Sequence, residues 1–171
     1  IGKIDLPIID VRHYLEDDLD MHHVSASFFS RLRIIKAKGH AKNHVIWIAN
    51  KNYSPIALAF AQMDDWLLTI NDSARDVLSA KPSSLVDSCF AADGQIIAQG
   101  EHTWDGDWNN KSPGACQQVY PMFSTSRIQA GGSWAGDIFK CKLISLEQAI
   151  SHGFYGTIDV KKYIEQLDKI F

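Results

Sequence analysis

An alternation of strand-like apolar runs and helical patterns over residues 4–73 constrains this fold more than any other feature. Residues 4–11 are β-branched and apolar, and residues 44–49 form a short, mostly apolar run typical of a strand buried on both faces. One helical pattern lies between the two runs and another follows the second. Parallel strands linked through a helix require a right-handed crossover. The sequence therefore predicts the β-α-β-α edge of an α/β sheet.

Both helical patterns carry start and stop signals. The first runs from Ser25 or Ser27 to Lys38, and Gly39 supplies the left-handed stop. The second has Ser54 as its N-cap and Pro55 at its first helical position, and apolar residues then recur at helical spacing as far as residue 70.

Beyond residue 80 the periodicity fades. Seven of the eleven glycines lie between residues 94 and 136, and the turn at residues 93–94 predicts a hairpin of residues 86–92 and 95–99. Ser145 with Gln148 predicts a short helix, and a last helix is expected over residues 159–171. We therefore divide the chain into residues 1–80, which carry the strands and helices, and a loop-rich extension, residues 81–171, packed on the same domain.

Composition excludes several classes of protein. With 171 residues, 46% of them hydrophobic and 22% charged, the chain is typical of one soluble globular domain. A net charge of -3 argues against a nucleic-acid partner. Because no apolar run approaches the roughly 18 residues that span a bilayer, we expect no membrane partner. We also expect no cofactor and no metal.

Three cysteines, Cys89, Cys116 and Cys141, lie in the second half of the chain. None has the close spacing of a zinc site or of a redox motif. Two interpretations stay open on composition: buried free thiols, or disulfides in an exported protein with one sulfur left over.

The richest polar cluster directly follows the first predicted strand. Its members are the carboxylates and histidines Glu16, Asp17, Asp18, Asp20, His22 and His23. Ligands and catalytic groups gather at the carboxyl ends of strands in open α/β sheets. The carboxylates could orient an imidazole for acid–base catalysis or bind a metal; alternatively, the cluster is a solvated acidic loop before the helix at Ser25.

A nucleophile is missing from the chain. The nearest match to the Gly-x-Ser-x-Gly elbow, residues 131–135, lacks the last glycine and follows no convincing strand. Residues 105–109 match the start of a calcium loop, but Asn110 and Cys116 depart from it, which favours a polar turn.

Motifs along nearly the whole chain resemble an uncharacterised family of tannase-like α/β hydrolases. They are LPIIDVRHY at 6–14, DMH at 20–22, SRLR at 30–33, NHVIW at 43–47, MDDWL at 63–67, RIQAGG at 127–132 and DIFKCKL at 137–143. Such proteins are longer and exported, and this stretch resembles their carboxyl-terminal portion. The resemblance implies an extracellular or periplasmic protein whose nucleophile and remaining strands lie upstream of residue 1. It also implies a Cys89–Cys116 bridge, with Cys141 paired outside the chain.

The resemblance places the catalytic acid near Glu16, Asp17 or Asp18. The family's histidine should follow the second strand, but residues 50–59 contain none. His22 is therefore the first candidate for the base and His23 the second.

We accordingly expect the carboxyl-terminal part of a serine-type ester hydrolase, inactive alone, that acts on a small-molecule or polymeric ester. Asp17 or Asp18 would orient the histidine that deprotonates a serine from the upstream part of the protein. The alternative is a non-catalytic binding or lid module, in which Trp104, Trp108 and Trp134 recognise a polymer or a partner surface. A third possibility is a purely structural domain.

Overall fold

The predicted β-α-β-α unit is present in the computed structural model, which describes residues 2–18, 20–137 and 144–167. Its elements are β1 (Ile8–Tyr14), α1 (Ser25–Lys38), β2 (His44–Asn50) and α2 (Ile56–Ser73). Strands β1 and β2 are parallel, in a register that runs from Ile8 opposite His44 to Tyr14 opposite Asn50. The carboxyl ends of both strands therefore meet at one edge of the sheet.

The predicted hairpin completes the sheet. Strand β3 (Ser88–Phe90) pairs parallel with β2, and β4 (Ile96–Gln99) returns antiparallel to β3, which gives the order β1-β2-β3-β4. Gly94 turns the chain with a φ of 86°, and a Cβ there would lie 2.6 Å from the Tyr53 ring. Strand β3 is shorter than the predicted 86–92, and a register shift interrupts its pairing with β4 between Cys89 and Phe90.

The ends of the two long helices differ in detail from the predictions. Helix α1 begins at Ser25, but its N-cap position is Val24, which has no side-chain capping bond. Gly39 ends α1 in the left-handed conformation, as predicted, with φ 80°. Helix α2 begins one residue later than predicted, so Pro55 is its N-cap residue instead of its first helical residue. Pro55 makes no side-chain capping bond.

Shorter helices occupy the remainder of the chain. Helices α3 (Ala115–Val119) and α4 (Ser126–Gln129) belong to a compact unit that spans Ile1–Asp137. A second unit, Ile138–Phe171, contains α5 (Leu146–Ser151) and α6 (Ile164–Leu167). As predicted, the Ser145 hydroxyl accepts the Gln148 amide at the start of α5. The division at residue 80 stays a prediction.

The last helix is shorter than expected within the residues that can be described. A single 3₁₀ turn, Lys161–Tyr163, leads into α6, which is four residues long, and residues 168–171 lie outside the described ranges. Across the described part of the chain, no helix combines the length and apolar character needed to cross a bilayer.

Each face of the sheet is covered by one long helix. Side chains alternate along the strands, so Ile46 and Ile48 join the cluster around α1, whereas Val45 and Trp47 join the cluster around α2. The α1 cluster also contains Phe28, Trp104 and the two cysteines, Cys89 and Cys116. A buried parallel pair with a helix on each face is the α/β architecture that the sequence predicts.

A largely buried ion pair joins α1 to both β2 and the segment that enters β3. The Asp87 carboxylate receives two hydrogen bonds from the Arg31 guanidinium, at 2.5 and 2.8 Å, and one from the Ile46 amide at 2.9 Å. Arg31 also donates to the His44 carbonyl at 2.7 Å. Three elements thus converge on one carboxylate.

The disulfide implied by the family resemblance is present. Cys89 in β3 and Cys116 in α3 are bonded, and both are fully buried. The bridge anchors the glycine-rich stretch to the sheet and fits an oxidising compartment. Cys141 lies outside the described residues.

Replacement of Asp87 tests the buried ion pair. We expect Asp87→Asn to lower the free energy of unfolding by about 2–4 kcal/mol, because Arg31 keeps its charge in a buried place without a matching carboxylate. The exposed Asp64 undergoes the same chemical change in Asp64→Asn, and this variant should stay within about 0.5 kcal/mol of the original. Denaturant titration of the whole protein measures both; equal effects would contradict the assigned role.

Removal of the disulfide should also be costly. The bridge closes a loop with a sequence separation of 27 residues, so its absence is expected to lower the free energy of unfolding by about 3–4 kcal/mol. Denaturation of the double variant Cys89→Ala/Cys116→Ala measures this change. Peptide mapping without reductant should recover the two cysteines in one linked peptide pair, and their recovery as free thiols would disprove the bridge.

Candidate functional site

The acidic-histidine cluster lies at the carboxyl edge of the parallel strands, as predicted. Strand β1 ends at Tyr14, a one-turn 3₁₀ helix covers Glu16–Asp18, and α1 begins at Ser25. The loop between them is called the β1–α1 loop here and comprises residues 15–24. It lies beside the end of β2 because Tyr14 is in register with Asn50.

A histidine–carboxylate pair lies within this loop. The Nδ1 atom of His22 is 2.6 Å from Oδ1 of Asp20, and the His22 backbone amide donates to the same oxygen at 2.8 Å. These two bonds, the amide first, lower the pKa of Asp20 below its ordinary value. The carboxylate at His22 is therefore Asp20, rather than Asp17 or Asp18. Because Nδ1 of His22 is bound to Asp20, its Nε2 atom is available to another group. The imidazole is 73% exposed.

Asp18 has a different partner from the predicted one. Its two carboxylate oxygens lie 2.8 and 2.9 Å from the ammonium of Lys51, which follows β2. This ion pair joins the carboxyl ends of the two strands. Asp17 is exposed, and its charge adds to burial in raising the pKa of Tyr14 to about 12. Neither side chain contacts His22 in the described structure.

Glu16 holds the β1–α1 loop closed. Its side chain is fully buried, and its Oε1 and Oε2 atoms accept the backbone amides of Val24, at 2.8 Å, and Leu15, at 3.2 Å. The carboxylate thus takes the place of the absent side-chain cap at the start of α1, where the helix dipole favours negative charge. Residues 16 and 24 are brought together, and the segment that contains Asp20 and His22 is closed between them.

His23, the second candidate, is half-buried. Its Nδ1 atom is enclosed and has no hydrogen-bond partner among the described residues. It thus has no carboxylate at that nitrogen to fix its tautomer, which favours His22 as the oriented imidazole.

A separate polar group lies inside the sheet, on the α1 side. His44 is buried at the start of β2, with Nε2 3.7 Å from the Asp10 carboxylate. Burial raises the pKa of Asp10, but hydrogen bonding with His44 and the charge of Arg12 bring it below its ordinary value. Arg12 also donates to the Ser27 hydroxyl at 2.6 Å. His44 lies at the amino end of its strand, away from the β1–α1 loop.

The glycine-rich turn at residues 131–135 is not a nucleophile elbow. It follows α4, which is four residues long, rather than a strand. The Ser133 hydroxyl accepts the Ala135 amide at 3.1 Å, which serves the turn itself.

A second histidine–aspartate pair, which was not predicted from the sequence, lies in the loop at residues 101–111. The Nδ1 atom of His102 lies 2.8 Å from Oδ2 of Asp105, the residue that the sequence analysis assigned to a polar turn. The three-residue spacing of the pair was the available signal. Asp105 also accepts the Asn109 amide at 2.8 Å and the Lys111 ammonium. No cluster of three or more metal-ligating side chains occurs within the described ranges.

Loss of the Glu16 carboxylate should open the β1–α1 loop. In Glu16→Ala the amides of Val24 and Leu15 lose their acceptor inside the protein, at an expected cost of about 1–3 kcal/mol. Hydrogen exchange should then speed up across residues 20–24, whereas the exposed neighbour replaced in Asp17→Ala should leave it unchanged. Equal exchange in the two variants would contradict the proposed closing role of Glu16.

The chain matches the model of a tannase-like family of unknown function, DUF6351, over residues 4–171. Comparison with curated proteins and with solved structures gives no match. The match covers nearly the whole chain and agrees with the motifs that suggested a tannase-like protein. The chain therefore belongs to this tannase-like family of unknown function.

Proposed function

We propose that this chain is the carboxyl-terminal part of a serine-type ester hydrolase, to which it supplies the general base and the acid that orients it. The observation that carries the proposal is the His22–Asp20 pair, with 2.6 Å between Nδ1 and Oδ1, at the carboxyl edge of a parallel sheet. Membership of a tannase-like family supports ester chemistry. The serine and the oxyanion donors would come from outside residues 1–171.

The pair has the arrangement that a general base requires. Asp20 accepts the Nδ1 proton of His22, which fixes the tautomer with a lone pair on Nε2. That lone pair would take the serine proton as the hydroxyl attacks the ester carbonyl, and the imidazolium would return it to the leaving alcohol. Asp20, with its lowered pKa, stays ionised and stabilises the transient positive charge. Such a base contributes about 10²–10⁴-fold to the rate.

Strand β1 lies at the edge of the sheet, with no strand on its outer side among the described residues, and this supports an upstream partner from the same protein. An open cavity of about 380 Å³ runs beside this strand, lined by Ile9, Val11, Ile56, Phe60 and Met63. Parallel sheets are normally covered on both faces, and an uncovered strand edge is a site of further pairing. A neighbouring strand with an apolar face toward α2 would fit here. The disulfide supports an extracellular or periplasmic location.

The three tryptophans of the alternative binding module do not form one exposed surface. Trp104 is 2% exposed and packs edge-on against Phe28, which stabilises its loop against α1. Trp134 packs against Phe29. These contacts favour structural roles for Trp104 and Trp134, so the observations favour the hydrolase over the binding module.

Substitution of His22 in the whole protein tests the proposal. With a p-nitrophenyl ester as substrate, we expect His22→Ala to lower kcat by about 100-fold or more, because the serine loses its base. The exposed histidine of the second unit gives the matched control, His152→Ala, which should keep full activity. If His23→Ala abolishes activity and His22→Ala does not, the assignment of the base is wrong.

The acid is tested separately. We expect Asp20→Asn to lower kcat by at least about tenfold, since the amide no longer stabilises the imidazolium. Asp17→Asn and Asp18→Asn should have smaller effects, because neither carboxylate contacts His22. A larger loss in either of these two variants would return the acid to the position that the sequence analysis predicted.

A further inference from the structure

An open groove lies between α1 and the loop at residues 101–111, at the other end of the parallel strands from the β1–α1 loop. Asp87 immediately precedes β3, and Glu101 follows the antiparallel β4, so both lie at the amino edge of the parallel strands. The His22–Asp20 pair lies at the opposite, carboxyl edge. The groove has a volume of about 500 Å³, within the range of small-molecule sites.

The indole ring of Trp108 is fixed by contacts with neighbouring residues. Trp108 lines the groove and packs against Phe28, with 5.2 Å between ring centroids. Its indole N–H donates to the Trp104 carbonyl at 2.5 Å. Because both the ring and its donor are already fixed, this aromatic surface loses little conformational freedom when a ligand binds.

Two residues that line the groove each carry a buried N–H group without an acceptor among the described residues. Trp104 and Arg31 both line it and are 2% and 8% exposed. The Nε1 atom of Trp104 and the Nε atom of Arg31 have no hydrogen-bond partner among the described residues. Both atoms are enclosed by protein and closed to a molecule in the groove, so the hydrogen bonds to a ligand must come from the exposed groups at the groove's edge.

A polar edge completes the groove. His102 has a left-handed backbone, with φ 65°, a conformation that is costly for a side chain of this size. Asp105 holds its imidazole through Nδ1, which leaves Nε2 for another partner. Lys111 lies beside the pair and is about half exposed. The strained histidine is thus fixed at the opening of the groove.

The charge of the lining decides between classes of ligand. Two cations, Arg31 and Lys111, face three carboxylates, Asp87, Glu101 and Asp105, so the groove has no net positive charge with histidine neutral. An anion such as phosphate would find no excess of positive charge here. A ring with several hydroxyl groups would match donors and acceptors together with an aromatic wall.

We propose that this groove binds a neutral pyranose sugar, with Trp108 stacking on the ring and His102, Lys111 and Glu101 bonding its hydroxyl groups. This site is independent of the proposed hydrolase activity. The two can be tested apart, since loss of sugar binding need not change ester turnover.

Saturation-transfer NMR on the whole protein tests the site with the methyl glycosides of glucose, galactose, mannose and xylose. At least one should bind saturably below about 50 mM, the affinity range of a weak single-ring ligand. Trp108→Ala should weaken that binding at least about fivefold through loss of the aromatic wall. Trp134→Phe is the matched control, because Trp134 does not line the groove.

Two further variants remain informative if Trp108→Ala fails to fold. Trp108→Phe keeps an aromatic ring against Phe28, and His102→Ala changes a side chain that is 70% exposed. Both should weaken sugar binding and leave the protein folded. The proposal is overturned if no glycoside binds, if inorganic phosphate competes equally for the site, or if both variants bind the sugar as well as the original protein.

Discussion

The pairing of Arg31 with Asp87 is the interaction on which the arrangement of this sheet most depends. One carboxylate joins α1, the Ile46 amide of β2 and the segment that enters β3, while Arg31 also binds the His44 carbonyl. The charges are largely removed from water, so the pair contributes through the penalty for separating them more than through net attraction. Helix α1 is thereby fixed across the sheet. Both the β1–α1 loop at its start and the sugar-binding groove proposed along its side depend on that position.

Buried and exposed carboxylates of the β1–α1 loop have different roles at one edge of the sheet. Glu16 is inside and binds backbone amides, Asp18 joins the two strand ends through Lys51, and Asp20 orients an exposed imidazole. Four acids within five residues would repel one another in an unfolded loop. In the fold, Glu16, Asp18 and Asp20 each have a separate donor, and Asp17 has none among the described residues. An imidazole presented in this way is useful chemically only when a group outside the loop approaches Nε2.

Much of this architecture could be predicted from the sequence because its signals are local. The helical spacing before Gly39, the apolar run of β2 and the turn at Gly94 each depend on neighbours within a few residues, and all three are confirmed. The location of the acidic-histidine cluster follows from strand order alone. The partner of each acid does not follow from strand order, because it depends on contacts between distant residues. Glu16 binds the amide of Val24, 8 positions away, and Asp18 binds Lys51, 33 positions away. The sequence therefore predicts Asp17 or Asp18 as the partner of His22, whereas in the structure Asp20 binds this imidazole. The role of His102 was not predicted, because only the folded loop brings His102, Asn109 and Lys111 together around Asp105.

The central claim is that His22 serves as the base for a serine in another part of the same protein. Covalent labelling of the whole protein with a fluorophosphonate, followed by mass spectrometry of the labelled peptide, tests it most directly. These probes react with serines that a neighbouring base activates. We predict a label on one serine outside residues 1–171, at a rate that falls sharply in His22→Ala. A protein that takes no label, or one labelled equally fast without His22, would contradict the claim.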